Sequence, residues 1–256
     1  MTDGGDDPSR DSGDHDRPTP SDSGPAPVEP PDAPAAATRV FGDRLPLAER
    51  FARHLANTGT THGLIGPREV PRLWDRHLLN CAVVAEVIPH GSRVIDVGSG
   101  AGLPGIALAI ARPDLTVTLV EPMERRTAWL SMVCADLALE SVDVERARAE
   151  ELHGRLHGDV VTARAVAALD KLLRWCLPLA RPGGRVVALK GSSAEREIAE
   201  AGRTVRRLGG LTPQIQTCGD GIVDPPTRVV VVERAVGTGR PAGASSRPPR
   251  HRSGRG

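Results

Sequence analysis

The sequence predicts an α/β protein built on a Rossmann-like, seven-stranded, mostly parallel sheet, with a helical cap ahead of the first strand. Three observations carry this expectation. From Ser92 onward, short apolar runs alternate with helical stretches, the pattern of βαβ units. The first run, Arg93–Val97, leads into a turn holding Gly98, Gly100 and Gly102, and a helix opens near Pro104. Two segments with helical spacing of apolar residues precede that run.

Residues 1–37 are rich in Asp, Pro, Gly, Ser and Ala and show no apolar periodicity. They carry nine acids against two arginines, a net of −7, and are expected to be a disordered acidic tail. Order is expected from Thr38. Leu45, Leu47, Phe51 and Leu55 recur at helical spacing and predict a helix over 46–57. After a turn segment, a second helix is expected from Glu69 to Val87, with Leu73, His77, Leu78 and Val84 toward one side, ended by Pro89 and Gly91. These helices make residues 38–91 the N-terminal cap.

Residues 92–236 read as the sheet domain. Its strands are sought in RVIDV, TVTLVE, SVDVERA, DVVTAR, GRVVALK and TRVVVVERAV, the last one antiparallel. Pro182-Gly183-Gly184 is read as the turn that starts the fifth strand. Residues 237–256 hold five arginines and no acid, a net of +5, and are expected to be a disordered basic tail. Such a tail either grips phosphates loosely or is simply solvated.

The body between the tails carries the remaining +3 of a net +1, which is compatible with nucleic acid without demanding it. No apolar run has the length of a membrane span. The acidic N-terminus lacks the basic and apolar regions of a secretory signal, so a cytoplasmic protein is expected. Cys81, Cys134, Cys176 and Cys218 form no C-x-x-C pair and have no zinc spacing. They are read as buried thiols, and no metal is expected.

The glycine turn is the most informative segment. Glycines there permit positive φ and close approach of a ligand to the backbone. Gly100-x-Gly102-x-x-Gly105 also matches the dinucleotide fingerprint, a weak signal by itself. Charge separates the two cofactors. A pyrophosphate on the turn would be repelled by Asp96, two residues before the first glycine, whereas the ammonium and sulfonium of S-adenosylmethionine would be favoured by it. A role for Asp96 as a strand-end acid making turn hydrogen bonds does not exclude this one. Glu121, ending the second strand about 20 residues later, suits the ribose hydroxyls of either cofactor. The pattern therefore reads as a class I S-adenosylmethionine-dependent methyltransferase, with a dinucleotide oxidoreductase as the alternative.

Several target chemistries lack their residues. Exocyclic-amine methylation commonly uses an Asn/Asp-Pro-Pro-aromatic motif after the fourth strand, where this chain has Thr162-Ala-Arg-Ala-Val166. Asp224-Pro-Pro-Thr227 lies before the last strand, lacks the aromatic, and reads as a turn. Pyrimidine carbon methylation needs a cysteine nucleophile, and Cys176 falls inside a helical run. With no tyrosine and two phenylalanines, a base-stacking platform is not expected. Guanine N7 stays attractive, because its free lone pair needs no deprotonation before attack on the methyl group. In duplex RNA the major groove is too narrow for side chains to read, so such a target is unpaired or splayed.

Taken together, Arg76-His-Leu-Leu-Asn80, Asp96-Val-Gly-Ser-Gly-Ala-Gly-Leu-Pro-Gly105, Arg164-Ala-Val-Ala167 and Leu189-Lys-Gly191 resemble the RsmG (GidB) family of bacterial small-subunit ribosomal RNA methyltransferases. The resemblance runs from about Leu45 to Glu233. It implies methyl transfer from S-adenosyl-L-methionine to N7 of a guanine in the 530 loop of 16S rRNA, position 527 in bacterial numbering. The partner it implies is 16S rRNA or the small ribosomal subunit, and a monomer is expected. It places cofactor contacts on Gly98, Leu103, Ala149, Glu150 and Arg164, beside Asp96, Gly100 and Glu121. It gathers Arg125, Arg126, Arg148, Arg164 and Lys190 near the pocket as phosphate or guanine contacts. Arg164 and Lys190, at strand ends, are the catalytic candidates. Arg125 and Arg126 read equally as a solvated helix face, Arg148 as a partner of Glu150 or Glu151, and His77 as a satisfied core or capping histidine. The chain departs from the common pattern at Asn80-Cys81, where many members have Asp-Ser, at Glu121 in place of Asp, and at Gly63-Leu-Ile-Gly-Pro-Arg68. Methylation of another RNA or of a small molecule is the other reading.

Overall fold

The computed structural model describes residues 28–164 and 167–236. The cap opens with α1 (Ala35–Phe41) and α2 (Leu45–His54), and α2 runs on through a π turn, Leu55–Gly59. Its second segment is helical from Pro67 to Val87 but changes pitch along the way. A 3₁₀ stretch, Pro67–Arg72, passes into a π stretch, Leu73–Leu79, then a short α turn, α3 (Asn80–Ala82), and a last 3₁₀ turn, Val83–Val87. Pro71 lies inside the first stretch and has no N–H to donate, which accounts for a break in regular α pairing there.

Order begins earlier than expected. α1 starts at Ala35, and the residues before it are tied down. The Trp74 indole donates to Pro31 O at 2.8 Å, and Asn57 exchanges bonds with the Val28 backbone at 2.6 and 2.9 Å. The alanine run that has the composition of a tail is also the best helix-forming residue. Its apolar side, Ala37 and Phe41, is buried, with Phe41 edge-on to Trp74 at 6.4 Å. The expected tail boundary at residue 37 is corrected accordingly. The rest of the acidic segment, residues 1–27, and the basic segment 237–256 lie outside the described residues.

The seven strands are β1 (Arg93–Val97), β2 (Thr116–Val120), β3 (Val142–Glu145), β4 (Gly158–Arg164), β5 (Ala180–Leu189), β6 (Gln214–Cys218) and β7 (Thr227–Glu233). Their order in the sheet is β3-β2-β1-β4-β5-β7-β6. β1 to β5 pair in parallel, and β7 runs antiparallel to both β5 and β6. Two details differ from expectation. β6 has a half-exposed, Gln- and Thr-containing sequence that gives no apolar alternation to find. β5 begins at Ala180, and Gly183 and Gly184 pair with the Arg234 backbone at 2.9 and 2.8 Å instead of forming a free turn.

The helices between strands are α4 (Gly105–Ala111), α5 (Glu124–Asp136), α6 (Leu169–Cys176) and α7 (Ala194–Arg207). Side chains alternate across a strand, so each strand feeds two cores. Val94, Val117, Leu119, Val187 and Val229 pack with α4, α5 and the cap. Ile95, Val97, Val161, Val186 and Val230 pack with α6 and α7. Strand order reverses between β1 and β4, and open α/β sheets bind ligands outside the carboxyl ends of their strands at such a reversal. Among the described residues no helix is long and apolar enough to cross a membrane.

Candidate functional site

The glycine turn sits at the carboxyl end of β1, at the reversal. Gly98, Gly100 and Gly102 all have positive φ (72°, 53° and 76°), a backbone that other residues adopt at a cost. Close packing fixes two glycines for a further reason. A Cβ on Gly102 would collide with Ile106, and one on Gly105 would collide with Leu119 and stand 2.8 Å from Asp96 Oδ2. Above Gly100 the turn is open, with only Gly98 O within 4 Å of a Cβ placed there.

Six N–H groups of this turn are committed within the protein. Gly98 and Ser99 donate to Val120 O at 2.9 and 3.2 Å, and Gly102 and Leu103 to Ser99 O at 2.7 and 3.2 Å. Gly100 donates to Glu121 Oε2 and Gly105 to Asp96 Oδ2, each at 3.1 Å. A pyrophosphate cradle needs such groups free to point at phosphate oxygens. Here two of them are already faced by carboxylates.

Asp96 does this from a buried position beneath the turn. It is 1% exposed, and its other oxygen accepts the Thr162 hydroxyl at 3.1 Å. Burial pushes its carboxyl up to about 6, against the bonds from Thr162 and Gly105 that pull it down. Both Asp96 oxygens are held by protein donors, so the residue makes the turn hydrogen bonds that its strand-end position allows. Glu121 is also buried. Oε1 accepts the Met123 N–H at 3.1 Å, Oε2 accepts Gly100, and Arg126 Nη1 lies 3.7 Å away. The carboxylate thus stands against the open side of the turn, where a nucleoside donor would need an acceptor for its ribose hydroxyls. The residues present fit such a donor.

The other expected residues are strung along the same edge of the sheet. Leu103 is buried in the turn, and Ala149 is buried at the start of a 3₁₀ turn, Ala149–Leu152, with Glu150 exposed beside it. Arg148 is exposed, and its backbone N–H, not its guanidinium, bonds to Glu151 at 2.9 Å. Arg125 is exposed on α5, while Arg126 turns toward Glu121 and keeps a buried Nε without a hydrogen-bond partner among the described residues. Neighbouring strands lie roughly 5 Å apart. Arg148 after β3 and Lys190 after β5 are therefore separated by four strand spacings, and the five basic residues do not form one cluster.

Arg164 and Lys190 are the ones closest in arrangement, on adjacent strands β4 and β5, yet both are engaged. Lys190 Nζ lies 2.8 Å from Glu197 Oε2 and donates to Ala167 O at 2.6 Å. Burial would raise the Glu197 carboxyl, but the bonds from Lys190, Ser193 and the Leu169 N–H hold it below the usual carboxylate range. Arg164 reaches into the cap. Nη1 contacts Cys81 Sγ at 2.9 Å and Arg76 O at 3.5 Å, and Nη2 meets His77 Nδ1 at 2.5 Å. The opposite ring nitrogen of His77 is 2.9 Å from Glu69 Oε2. Burial and the facing Arg164 hold His77 below its ordinary value. His77 is therefore a satisfied, buried histidine, and Arg164 is what it satisfies. Cys176, read as core, is fully buried, and burial raises its thiol.

Beside Arg164 opens a cavity of about 1060 Å³. Arg72 and Arg76 wall it from the cap, Leu189 to Ser193 from the end of β5, and Ile222 to Arg228 from the loop before β7. Sequence reasoning passed over Arg72 and Arg76. Exposed arginines on a helix look like a solvated face, and only the fold places them over a strand end. The Asp224-Pro-Pro-Thr227 segment is the expected turn, and it forms part of the wall.

The model of the family described as rRNA small subunit methyltransferase G matches residues 44–224. The chain is 59% identical over 235 residues to the ribosomal RNA small subunit methyltransferase G of Salinispora tropica, covering 88% of this chain and 96% of that one. It is 55% identical over 222 residues to the protein of the same name from Thermobifida fusca, with 86% and 93% covered. Among solved structures, an O-methyltransferase family protein from Burkholderia thailandensis superposes with a TM-score of 0.51 over 78% of this chain and 69% of that one. At 14% identity, that likeness is one of fold.

Proposed function

Since the chain belongs to the rRNA small subunit methyltransferase G family, we propose that it moves the methyl group of S-adenosyl-L-methionine to N7 of a guanine in the 530 loop of 16S rRNA, position 527 in bacterial numbering. It acts in the cytoplasm, as a monomer, on the rRNA or on the small subunit that contains it.

One observation carries the choice of donor. Six N–H groups of the glycine turn, those of Gly98, Ser99, Gly100, Gly102, Leu103 and Gly105, are engaged inside the protein, two of them by the carboxylates of Asp96 and Glu121. Such a turn is a poor seat for pyrophosphate and a good one for a cationic nucleoside. When bound, S-adenosylmethionine supplies an electrophilic methyl group on a positively charged sulfur. The chain's own residues hold and orient. Glu121 stands where it would accept ribose hydroxyls. Ala149 and Glu150 would flank the adenine, and Gly98, Gly100 and Leu103 would line the turn.

N7 chemistry fits the side chains at hand. No proton must leave before attack, and the basic groups nearest Arg164 are engaged: Lys190 is paired with Glu197, and His77 lies between Arg164 and Glu69. Alignment of N7 with the methyl group then does most of the work, an effect worth at most roughly 7–11 kcal/mol.

Calorimetry with S-adenosylmethionine and with NAD(P) tests the donor. Preference for the dinucleotide overturns the reading. Mapping 7-methylguanosine in 16S rRNA from cells lacking the gene tests the acceptor. Retention of the modification in the 530 loop overturns it.

A further inference from the structure

We infer that Arg72 and Arg76, at the rim of the cavity between the cap and the ends of β4 and β5, bind the phosphates flanking the acceptor nucleotide. The inference rests on the methyl-transfer reading above and adds which residues hold the acceptor's backbone.

Position comes first. Thr162, two residues before Arg164 on β4, pairs with Asp96 of β1 in register and through its hydroxyl. Asp96 in turn holds the glycine turn at Gly105. The cavity, which has Arg164 in its wall, therefore begins one strand spacing, roughly 5 Å, from the strand that carries the turn. A donor on the turn and a nucleotide in the cavity are neighbours across the reversal in strand order.

Size and lining agree with an extruded nucleotide. Ligand pockets commonly measure about 300–1,000 Å³, and this one, at about 1060 Å³, is slightly larger. Leu189, Ile222, Val223, Pro225 and Pro226 offer apolar faces for a base. No aromatic residue is among those lining it. A base placed here is held by aliphatic and proline faces rather than by ring stacking, which suits a chain without tyrosine.

Charge identifies the phosphate contacts. Five cationic side chains line the cavity, Arg72, Arg76, Arg164, Lys190 and Arg228, together with three carboxylates, Asp75, Glu197 and Asp224, so the lining has a net charge of +2. Arg164 is held by His77 and Cys81, Lys190 by Glu197, and Arg228 by Glu195. Arg72 is exposed and makes no ion pair among the described residues. Arg76 is 54% exposed and has only a 3.5 Å contact with Glu69. These two keep unused donors at the rim, and each can present a bidentate fork to phosphate.

The test uses the full chain and small ribosomal subunits from cells lacking the gene, at saturating S-adenosylmethionine. The double variant R72Q/R76Q should raise KM for subunits at least tenfold with a small change in kcat. Its affinity for S-adenosylmethionine by calorimetry and its melting temperature should stay near those of the wild type. The dependence of log(kcat/KM) on log salt should become shallower by about 1.4, near 0.7 for each lost single-strand phosphate contact. R72K/R76K should recover most of the loss, since a point charge still binds phosphate. R203Q, on the exposed face of α7, should match the wild type, and an equal rise in KM there would reduce the effect to net charge and overturn the assignment. R72Q/R76Q with KM within twofold of an active wild type overturns the inference alone. A wild type that methylates neither the subunits nor their rRNA overturns the parent reading, and the inference with it.

Discussion

His77 and Arg164 face each other across the joint between cap and sheet, with Arg164 Nη2 donating to His77 Nδ1 at 2.5 Å. That bond requires an unprotonated Nδ1, so the ring proton sits on Nε2 and is donated to Glu69 at 2.9 Å. A charged His77 would point a proton at a guanidinium and break the pairing.

The first prediction follows from that geometry. Arg164→Ala should abolish transfer while the protein still folds. His77→Phe keeps the bulk but removes the acceptor, and it should cut kcat by up to about 100-fold, the scale of a small misplacement of an active-site group. Its affinity for the methyl donor should change less than threefold. Wild-type full activity in His77→Phe would remove His77 from any role at the site.

The same pair predicts an acid limb. His77 is held below its ordinary value by burial and by Arg164 and Arg76, with Glu69 opposing. Its neutral form, and with it the placement of Arg164, persists through pH 6.5 and is lost only below. Asp96 titrates in a neighbouring range, so the limb is read as the difference between wild type and His77→Asn, which cannot gain a proton. An unchanged acid limb in His77→Asn would refute the assignment.

Asp96 predicts a stability effect of defined sign. Its carboxyl is raised in the folded protein from 3.8 to about 6. Between those values the folded state holds a proton that the unfolded state has released, so stability from this group is greatest below pH 3.8 and declines as pH rises through 6. The rise corresponds to roughly 3 kcal/mol. In Asp96→Asn this decline should vanish from the difference between denaturation midpoints at pH 4.5 and pH 7. Identical pH dependence in the two proteins would contradict the burial argument.

Gly105→Ala forces a Cβ against Leu119 and the Asp96 carboxylate. Overpacking of this kind costs about 1–3 kcal/mol. Chemical denaturation should register that loss together with weaker binding of the methyl donor. Glu121→Gln turns one acceptor oxygen into a donor facing a backbone N–H, so it should cost about 1–3 kcal/mol of stability and weaken donor binding by about tenfold or more. Calorimetry that finds the wild-type affinity would show that Glu121 does not touch the donor.

Legibility tracks how local a feature is. The glycine turn, Glu121 and the strand-end position of Arg164 follow from short stretches of sequence, where residue type and spacing determine the backbone. The partners of Arg164 do not. His77 and Cys81 precede it by 87 and 83 residues, and nothing in either segment announces the contact. Lys190 shows the same limit, because its charge is cancelled by Glu197 on the following helix, and a strand-end lysine looks free until that helix is placed. The turn hydrogen bond of Asp96 is legible from its strand-end position, but its bond to Thr162, 66 residues later on the neighbouring strand, is not. α1 escaped notice because seven residues, AAATRVF, have the composition of a tail and gain their order from Trp74.

The reversed strand β7 divides labour along the chain. It enters the sheet at the edge where β5 leaves it, so the loop at residues 219–226 comes back to roof a chamber whose opposite rim was laid down early, by the cap. The socket around the glycine bend is assembled from the middle of the polypeptide, and the chamber from its two flanks. Alterations in the roofing loop or the rim can therefore retune what is accepted while leaving the socket untouched, a modularity that the topology provides without any separate domain.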